Sequence, residues 1–324
     1  MTIGIMARLS RIADLDASAS GWGFFLCARK DLRAGRNGGE FLDLLLQDVS
    51  GEIRAKVFQD VDVVRLEFDA GEFVKIQAKG NVYHGRFELI VDKIRRVMPE
   101  RDAADGFRED DCIPTSPRPL DEMWSELAER LASVEHPAIR ELLGRIVDRH
   151  ADRLRVWPAA RQIHHAYRSG LLEHILKIMT TVVHLAEQYG ARQDLLIAGA
   201  LLHDIGKLRE LSYDITIDYS VEGNLVGHIV IGVGMVRDVI REIPDFPQDL
   251  QTEIEHLILS HHGSLELGSP VKPMTVEAFI LAAADEFDAR LHQVRRLLTE
   301  DDTEGPFTAY NRRLERQLYK GTLK

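Results

Sequence analysis

The stretch LLIAGALLHDIGK, residues 195–207, is the most informative part of this chain. Its first eight residues are apolar and predict a buried helix that ends on the pair His203-Asp204. Adjacent imidazole and carboxylate ligands at a helix end can approach one metal ion together, or the aspartate can bridge two. Gly206 relaxes the backbone after the pair, and Lys207 adds a point charge suited to a phosphate oxygen. A His-Asp pair alone is common by chance, so the flanking sequence has to supply further ligands.

More residues of metal-ligand type recur on both sides of this pair. They are His174, His228, His261-His262 and Asp285, and the gaps between successive segments are 29, 25, 33 and 24 residues. Most of them lie in apolar segments that predict helices, and the helices of a bundle can place such ligands around a common core site. Imidazole nitrogen and carboxylate oxygen together suit Mn, Fe, Co, Ni or Zn. The pattern predicts a buried centre with two metal ions and hydrolytic chemistry.

Helical periodicity extends from residue 121 towards the end of the chain. Asp121 can cap a helix that runs to about Ser133, and Pro137 fits the first turn of a helix that runs to about His150. Further helices are predicted at 159–168, 170–189, 193–203, 224–242, 247–261, 275–298 and 307–319. The last of these, Phe307–Tyr319, can pack on its own domain or on a neighbouring chain. The fold predicted for residues 121–324 is therefore all-helical.

The first 98 residues predict strands and hairpins instead. Strand-like segments cover 23–29, 40–47, 52–58, 72–79 and 87–93, with the short piece 82–83 between the last two. Turns at Asp48–Gly51 and at Gly80-Asn81 join them into hairpins, and residues 60–69 can form a short helix. Five strands with a helix between the third and the fourth are the pattern of an OB-fold barrel, whose exposed face commonly binds oligonucleotides.

A change in composition at Pro99–Leu120 separates the two regions. This segment holds four prolines among charged residues and has almost no apolar periodicity. It predicts a linker between an OB-fold domain at 1–98 and a helical domain at 121–324. A chain of 324 residues, of which 45% are hydrophobic, is long enough for such domains to have sizeable cores.

Composition also narrows the class of protein. The two cysteines, Cys27 and Cys112, are not in a C-x-x-C arrangement, which argues against a disulfide framework and a thiolate zinc site. No apolar stretch reaches about 18 residues, so we expect a soluble, cytoplasmic protein in a reducing compartment. The net charge of −11 argues against a protein that coats DNA electrostatically. Because residues 1–98 carry a net +1 and the remainder −12, nucleic-acid affinity is expected in the first domain.

The order His…His-Asp…Asp resembles that of the HD-domain metal-dependent phosphohydrolases. One metal ion in that superfamily is held by four such residues, which here are His174, His203, Asp204 and Asp285. Members with further histidines between the His-Asp pair and the last aspartate bind a second ion. His228 and His261 stand in those places, with Asp204 as the bridge. The superfamily is all-helical, in agreement with the periodicity of this region.

An OB domain followed by an HD domain is similar to the YhaM-type 3′→5′ exoribonuclease family. Local strings that support the resemblance are PAA at 158–160, HHAY at 164–167, GLLEH at 170–174, GHI at 227–229, LSHHG at 259–263, GSP at 268–270 and DEFDA at 285–289. The chain departs from the expected pattern at Glu286-Phe287, where shorter or more polar residues are expected. The resemblance implies a metal-dependent enzyme that shortens single-stranded RNA from the 3′ end. It also implies Mn as the ion, with Fe, Co, Ni or Zn as alternatives.

Two-metal chemistry assigns roles to several residues of this region. Two divalent ions clamp the scissile phosphate and activate water for in-line attack, which makes Asp204 a catalytic residue as well as a ligand. Lys207 is expected to stabilise charge on the phosphate oxygens. His262 is a candidate to bind phosphate or to protonate the leaving 3′ oxygen, and His165 is a candidate for the same surroundings. Glu173 can orient the ligand that follows it, with an exposed helix carboxylate as the alternative.

The first domain interleaves aromatic and basic residues, as in grooves that bind single strands by base stacking and charge neutralisation. Strand alternation places Arg54, Lys56 and Phe58 on one face, and Phe58 is the best candidate for an exposed stacking residue. Tyr83 and Arg86, around a turn of the barrel, complete the predicted binding set. A small barrel also needs aromatic residues inside, so the other aromatics are left open between core and face.

Two other functions stay open from the sequence. One is a phosphohydrolase or phosphodiesterase of nucleotides or cyclic nucleotides, with the OB domain serving assembly. The chain lacks the Gly-Tyr-Pro element that follows the double histidine in HD-type cyclic-di-GMP phosphodiesterases, which ranks that activity lower. The other is a nucleic-acid-binding protein without activity, against which the complete ligand set counts. The sequence distinguishes neither RNA from DNA nor one oligomeric state from another.

Overall fold

The computed structural model describes residues 7–35, 38–83, 85–160, 167–213, 217–301, 303–312 and 314–321. The chain divides into two compact units, Met1–Pro117 and Arg118–Lys324, and each has its own hydrophobic core. The first unit is a closed strand barrel and the second is built almost entirely from helices, with one two-stranded hairpin. The predicted fold class, a β-barrel followed by a helical domain, is therefore confirmed.

Five strands form the barrel. They are β1 (Ser20–Ala34), β2 (Glu40–Asp48), β3 (Gly51–Val57), β4 (Glu72–Tyr83) and β5 (Arg86–Arg96). The barrel closes in the order β1-β2-β3-β5-β4, and within it only β3 and β5 pair in parallel. Along β2, Leu42, Leu44 and Leu46 are all buried, because alternate side chains of a strand point to the same side. The predicted short helix, α1 (Val61–Val64), lies between β3 and β4.

The turn predicted at Gly80-Asn81 is wrong. Strand β4 continues through these residues and the chain reverses only after Tyr83. Gly80 pairs with Leu89 in the β-ladder, and a Cβ atom at Gly80 would lie 2.5 Å from the carbonyl oxygen of Asp16. The glycine is therefore required by a close backbone approach within a strand rather than by a turn.

Most of the segment predicted as a linker, Pro99–Leu120, lies within the first compact unit. It begins with the short helix α2 (Pro99–Asp102). The carboxylate of Asp102 is fully buried and accepts hydrogen bonds from the Arg95 guanidinium at 2.6 and 2.8 Å and from the backbone N–H of Met98 at 2.8 Å. These contacts hold α2 against the end of β5. The domain limits at residues 98 and 121 stay a prediction.

The helical unit follows the predicted periodicity over most of its length. Its helices are α3 (Leu120–Ala132), α4 (Pro137–Val156), α5 (Gly170–Tyr189), α6 (Gln193–Leu202), α7 (Lys207–Glu210), α8 (Val221–Val226), α9 (His228–Ile240), α10 (Gln248–Ser260) and α11 (Val276–Glu300), with the hairpin β6 (Leu211–Tyr213) and β7 (Ile217–Tyr219) after α7. The helix predicted at 224–242 is divided at Gly227, whose φ of 77° is unfavourable for other residues. The helix predicted at 159–168 falls largely outside the described residues. No helix in the described ranges is long and apolar enough to cross a membrane.

Helix α6 lies in the hydrophobic core of this unit. Every residue from Leu195 to Leu202 is buried. A Cβ atom at Gly199 would lie 2.9 Å from the side chains of Leu257 on α10 and Leu281 on α11, so glycine allows these helices to pack closely. Because α6 is enclosed on all sides, the pair His203-Asp204 that follows it emerges in the interior of the bundle.

The helix predicted at Phe307–Tyr319 is wrong for the residues described there. The segment instead forms isolated β-bridges, between Phe307 and Tyr319 and between Asn311 and Arg316. The rings of Phe307 and Tyr319 lie 5.5 Å apart across the first bridge. The side chain of Asn311 accepts a hydrogen bond from the N–H of Leu314, a local contact that favours a turn over a helix. Cross-strand pairing and turn chemistry thus override the apolar spacing.

Candidate metal centre

Residues of metal-ligand type from five segments converge inside the helical unit. They are His174 on α5, His203 and Asp204 directly after α6, His228 at the start of α9, His261 and His262 directly after α10, and Asp285 on α11. Asp204 lies between two groups of these side chains. One oxygen of its carboxylate faces each group, so this residue organises the whole site.

The first group surrounds Asp204 Oδ2. This oxygen lies 3.5 Å from His174 Nε2 and 3.4 Å from His203 Nε2. Asp285 Oδ1 lies 3.3 Å from His174 Nε2 and 3.9 Å from His203 Nε2. Two imidazole nitrogens and two carboxylate oxygens thus enclose one small volume. Such spacings suit donor atoms around a single ion at bond lengths of about 2 Å.

The second group surrounds Asp204 Oδ1. His228 Nε2 lies 3.5 Å and His261 Nε2 lies 3.8 Å from this oxygen. All three atoms are buried and have no hydrogen-bond partner among the described residues. Buried polar atoms are normally paired, because an unpaired one loses its hydration without compensation. A divalent cation held by these three atoms would remove that cost, so the residues fit a second metal ion.

Each histidine of the centre is held by a hydrogen bond through its outer nitrogen, Nδ1. The acceptors are the backbone oxygens of Ala200 for His203, Ile258 for His261 and Leu267 for His262, and the carboxylates of Glu210 for His228 and Asp288 for His174. These distances are between 2.7 and 3.0 Å. An acceptor at Nδ1 leaves Nε2 directed at the shared volume with its lone pair, which is the usual arrangement of metal-bound histidines.

Two of these acceptors, Glu210 and Asp288, were missed by sequence reasoning. Glu210 accepts both the Nδ1 proton and the backbone N–H of His228, each at 2.9 Å. Asp288 lies 3.0 Å from His174 Nδ1 and is three residues after Asp285 on the same helix. That i, i+3 spacing was a usable signal for Asp288. Glu210 has no comparable signal, because its contact depends on how α7 and α9 pack.

Lys207 lies against the centre rather than at its outer edge. Its ammonium group is 2.6 Å from Asp204 Oδ2 and is mostly buried. Burial alone would lower the pKa of Lys207, but the adjacent Asp204 carboxylate raises it. The residue is therefore a fixed positive charge beside the carboxylate shared by the two groups.

His262 is half-buried and its ring centroid lies 4.3 Å from that of His261 and 5.2 Å from that of His228. Its ligand atom is within 4.8 Å of those of the other two histidines. Burial is the main cause that lowers the pKa of His262, and the nearby His228 adds to it. The structure thus places His262 beside His228 and His261, and its predicted role in binding phosphate or protonating the leaving 3′ oxygen stays a prediction.

Of the other predicted residues, Glu173 is buried on α5 beside His174. Its carboxylate accepts a hydrogen bond from the Tyr167 hydroxyl at 2.9 Å and pairs with Lys177 at 2.7 Å. Glu173 is only 4% exposed, so the alternative that it is an exposed helix carboxylate is wrong. Its role in orienting His174 stays a prediction. His165 lies outside the described residues.

The electrostatics of the centre keep Asp204 and His261 in metal-binding form. Burial alone would raise the pKa of Asp204, but Lys207 and His203 lower it well below its usual range. Burial and the neighbouring His203 lower the pKa of His261. Burial alone would lower the pKa of His174, but the Asp285 and Asp288 carboxylates raise it to about 9, so a cation bound there displaces a proton from that ring. An ionised carboxylate next to neutral imidazoles is the donor set that divalent ions require. The arrangement can therefore hold cations next to a fixed ammonium, a combination suited to phosphate ester hydrolysis.

On the barrel, the predicted nucleic-acid-binding residues share one outer surface. Arg54, Lys56 and Phe58 alternate with buried residues of β3, so their side chains face outward as predicted. The Lys56 ammonium lies 4.9 Å from the centroid of the Tyr83 ring. Phe58 and Tyr83 are each about half exposed, and Arg86 is exposed at the start of β5. We call this set (Arg54, Lys56, Phe58, Tyr83 and Arg86) the barrel face.

Two residues of the barrel face, Lys56 and Phe58, have further contacts that change the charge and the extent of this surface. Lys56 also lies 2.7 Å from the carboxylate of Glu88, a buried residue of β5. The Phe58 ring lies 5.4 Å from the ring of Phe41, which extends the aromatic surface by one residue. Phe41 is partly buried and belongs to this surface rather than to the barrel core, a point that the sequence left open.

Comparisons with known proteins agree with this division. Residues 171–290 match the HD domain family, and residues 26–97 match the family of OB-fold nucleic acid binding domains. The chain is 35% identical over 288 residues to the 3′-5′ exoribonuclease YhaM of Bacillus subtilis. The alignment covers 88% of this chain and 90% of the relative. The chain is 33% identical over 263 residues to the Listeria innocua protein of the same name, covering 81% and 82%.

Proposed function

The chain belongs to the YhaM family of 3′-5′ exoribonucleases, and we propose that it is a metal-dependent exonuclease that removes nucleotides from the 3′ end of single-stranded RNA. Its HD domain makes it a divalent-metal-dependent hydrolase. The observation that carries the proposal is Asp204, whose two oxygens face two separate groups of metal-ligand side chains.

The proposed centre holds two ions with Asp204 as the shared ligand. His174, His203 and Asp285 serve the first ion, and His228 and His261 serve the second. We favour Mn on the basis of family membership, and the same donors also accept Fe, Co, Ni or Zn. When bound, such ions supply Lewis-acid activation of water and neutralise the charge of the phosphodiester.

The residues of the chain have complementary proposed roles. Glu210 and Asp288 hold the imidazoles of His228 and His174 in position through their outer nitrogens. Lys207, a buried ammonium beside Asp204, is placed to stabilise negative charge on a phosphate bound at the shared carboxylate. His262, half-buried where His261 is fully buried, is placed to contact the phosphate or the leaving 3′ oxygen.

The barrel face is proposed to capture the strand. Single-strand-binding OB domains combine aromatic platforms, on which bases stack, with cations that follow the backbone. Phe58, with Phe41 behind it, and Tyr83, with Lys56 over its ring, supply two such platforms. The positive edge of this face comes from Arg54 and Arg86, both exposed. The first 98 residues are also the part of the chain that is not acidic, which favours a polyanionic ligand there.

The proposal is tested by degradation of a 5′-labelled single-stranded RNA oligomer with Mn, in parallel with the DNA of the same sequence. The expected result is a ladder that shortens from the 3′ end, and its absence in Asp204→Ala. A matched control is Asp249→Ala, which removes an exposed carboxylate on α10 away from the centre. If the metal-loaded protein degrades neither polymer but hydrolyses nucleotides or cyclic nucleotides, the exonuclease proposal is wrong.

A further inference from the structure

Helix α11 has an unusual solvent-facing side. Met274, just before the helix, and Val276, Phe279 and Phe287 within it are exposed by 73%, 57%, 64% and 58%, respectively. Ala283, also exposed, lies between the two phenylalanines. We call Val276, Phe279, Ala283 and Phe287 the α11 stripe. Its spacing of three, four and four residues puts all members on one side of the helix for three turns, about 16 Å.

The stripe lies opposite the metal centre. Asp285 and Asp288 point from α11 into the centre, and Ala278, Leu281 and Ala284 are buried in the bundle core. At 100° per residue, the stripe is turned about 160–200° from Asp285, apart from Phe279 at about 120°. The same helix therefore presents metal ligands on one side and an apolar surface on the other.

The exposed apolar area is large for a surface helix. An aromatic side chain can bury about 150–250 Å², so Phe279 and Phe287, at 64% and 58% exposed, together offer roughly 250 Å². With Met274 and Val276 the surface offers roughly 500 Å² per chain, the size at which a contiguous apolar patch marks an interaction site. Two copies in contact would bury about 1,000 Å², which reaches the lower limit of a specific protein interface.

From Phe279 to Phe287 the stripe is self-complementary, because this part reads the same in both directions from Ala283; Val276 lies outside it, since the position seven residues after Ala283 is Arg290. Phe279 is four residues before Ala283 and Phe287 four residues after it. A twofold axis requires the same patch on both subunits. In an antiparallel pair centred on Ala283, Phe279 of one copy meets Phe287 of the partner subunit. The small side chain of Ala283 lies at the crossing point, where it allows close approach of the two helix axes.

We propose that α11 is a self-association surface, on which two copies of this chain pair through the stripe about a twofold axis at Ala283. Charge argues against nucleic acid as the occupant, since the residues after 98 carry a net charge of −12. The ion pair of Glu286 with Arg290 at 2.5 Å closes the C-terminal end of the stripe, where Arg290 lies on the same side of the helix one turn after Phe287, and supplies a polar rim there. Association would hold the outer side of the helix whose inner side supplies Asp285.

The first test is sedimentation of the full metal-loaded chain, of which one copy weighs 36.7 kDa. The wild-type protein is expected to sediment as a dimer or a multiple of it. Phe279→Glu/Phe287→Glu is expected to raise the dimer dissociation constant by at least about 100-fold, since it replaces two buried apolar rings per chain by charged carboxylates. Helix content by circular dichroism and bound metal should match those of the wild type, because neither ring contributes to the core or the centre.

A matched control is Tyr189→Glu, which changes another exposed aromatic residue, 73% exposed, at the end of α5. This variant is expected to associate like the wild type. A wild-type protein that is monomeric at micromolar concentration, or a double variant that still associates, would contradict the proposal.

The second test uses cysteine cross-linking. Both native cysteines are buried, so Ala283→Cys adds the exposed thiol of interest. Two such thiols at the crossing point meet the requirement of a disulfide, a Cα–Cα distance of about 4.4–6.8 Å. Oxidation is expected to give a covalent dimer with Ala283→Cys and none with Asp249→Cys, at an exposed position of α10. A dimer that forms without the cross-link at Ala283 would place the interface elsewhere and overturn the proposal.

Discussion

The metal centre and the barrel face hold their side chains in opposite ways. Every histidine of the centre is fixed by a hydrogen bond through Nδ1, and the carboxylate that they share is buried. On the barrel face, Phe58 and Tyr83 are half exposed, with the Phe58 ring beside Phe41 and the Lys56 ammonium over the Tyr83 ring. A rigid site suits bond cleavage, which depends on placement to within fractions of an ångström. An open face suits any base of a passing strand, because every base offers a stacking surface.

The largest expected effect is the loss of RNA degradation when a ligand of the metal centre is removed. His203→Ala, in the first group, and His261→Ala, in the second, should each lower the rate of RNA degradation by about 10³-fold or more, since the proposed mechanism needs both ions at the phosphate. The measurement is the initial rate on a 5′-labelled oligomer. His184→Ala, a change on the same helix as His174, is the control and should keep the wild-type rate. Loss of activity in only one of the two ligand variants would contradict a joint role of the two groups.

The next largest effect concerns protein stability, and it distinguishes a buried carboxylate that stabilises the fold from one that binds metal. Asp102 in the barrel unit is as buried as Asp204, but its partners are the Arg95 guanidinium and backbone rather than imidazoles. Asp102→Asn should lower the free energy of unfolding by about 1.5–3 kcal/mol, because it weakens the charge-assisted hydrogen bonds between a fully buried carboxylate and the partly exposed Arg95 guanidinium. Urea unfolding of the metal-free chain measures this. Bound metal in the folded variant should equal that of the wild type.

This carboxylate also predicts a pH dependence. Hydrogen bonds from Arg95 hold the pKa of Asp102 well below its usual range. A depressed folded-state pKa stabilises the protein above the unfolded-state value of about 3.9, and that contribution is lost as the pH falls towards the folded-state pKa. The stability difference between wild type and Asp102→Asn should therefore be full at pH 7 and shrink below about pH 4. A difference that grows on acidification would contradict the assignment.

A smaller effect is expected for the acceptors behind the ligands. Glu210→Gln and Asp288→Asn should each weaken metal binding or activity by about 10–100-fold, as is usual for groups that orient a metal-bound histidine. Metal titration followed by activity measures the apparent metal affinity. Glu222→Gln, at a nearby exposed ion pair with Arg209, is the matched control and should bind metal normally. If the acceptor variants retain full affinity, packing alone positions the imidazoles.

The smallest effect belongs to the barrel face. Phe58→Ala should weaken RNA binding by about 1–3 kcal/mol, or roughly 5–150-fold in Kd, through the loss of one stacking surface. Fluorescence polarisation with a catalytically inactive Asp204→Ala background measures binding without cleavage. Leu66→Ala removes an even more exposed apolar side chain from the same unit, 81% against 53% for Phe58, and should leave Kd unchanged. Equal losses for the two variants would show that exposed apolar area, and not the face, matters.

Residues of the metal centre could be predicted from the sequence where a local pattern marks them, and not where long-range packing decides the contact. Histidine and aspartate inside apolar helices are rare, so each of His174, His203, Asp204 and Asp285 could be named before the fold was known. Glu210 could not, because its partner His228 depends on the packing of α7 against α9. Glycine misled at Gly80, where a close backbone approach, not a turn, requires it. The apolar spacing of 307–319 misled because long-range bridges, which no local pattern records, decide that segment.

The central claim, that Asp204 joins two metal ions, is tested most directly by counting bound metal. Wild-type protein and Asp204→Asn, loaded with Mn and freed of excess, are compared by elemental analysis per chain, with Asp249→Asn as the control. Two ions are expected in the wild type and in Asp249→Asn, and at most one in Asp204→Asn, whose helix content is unchanged. One ion in the wild type, or two ions retained with full activity in Asp204→Asn, would contradict that claim.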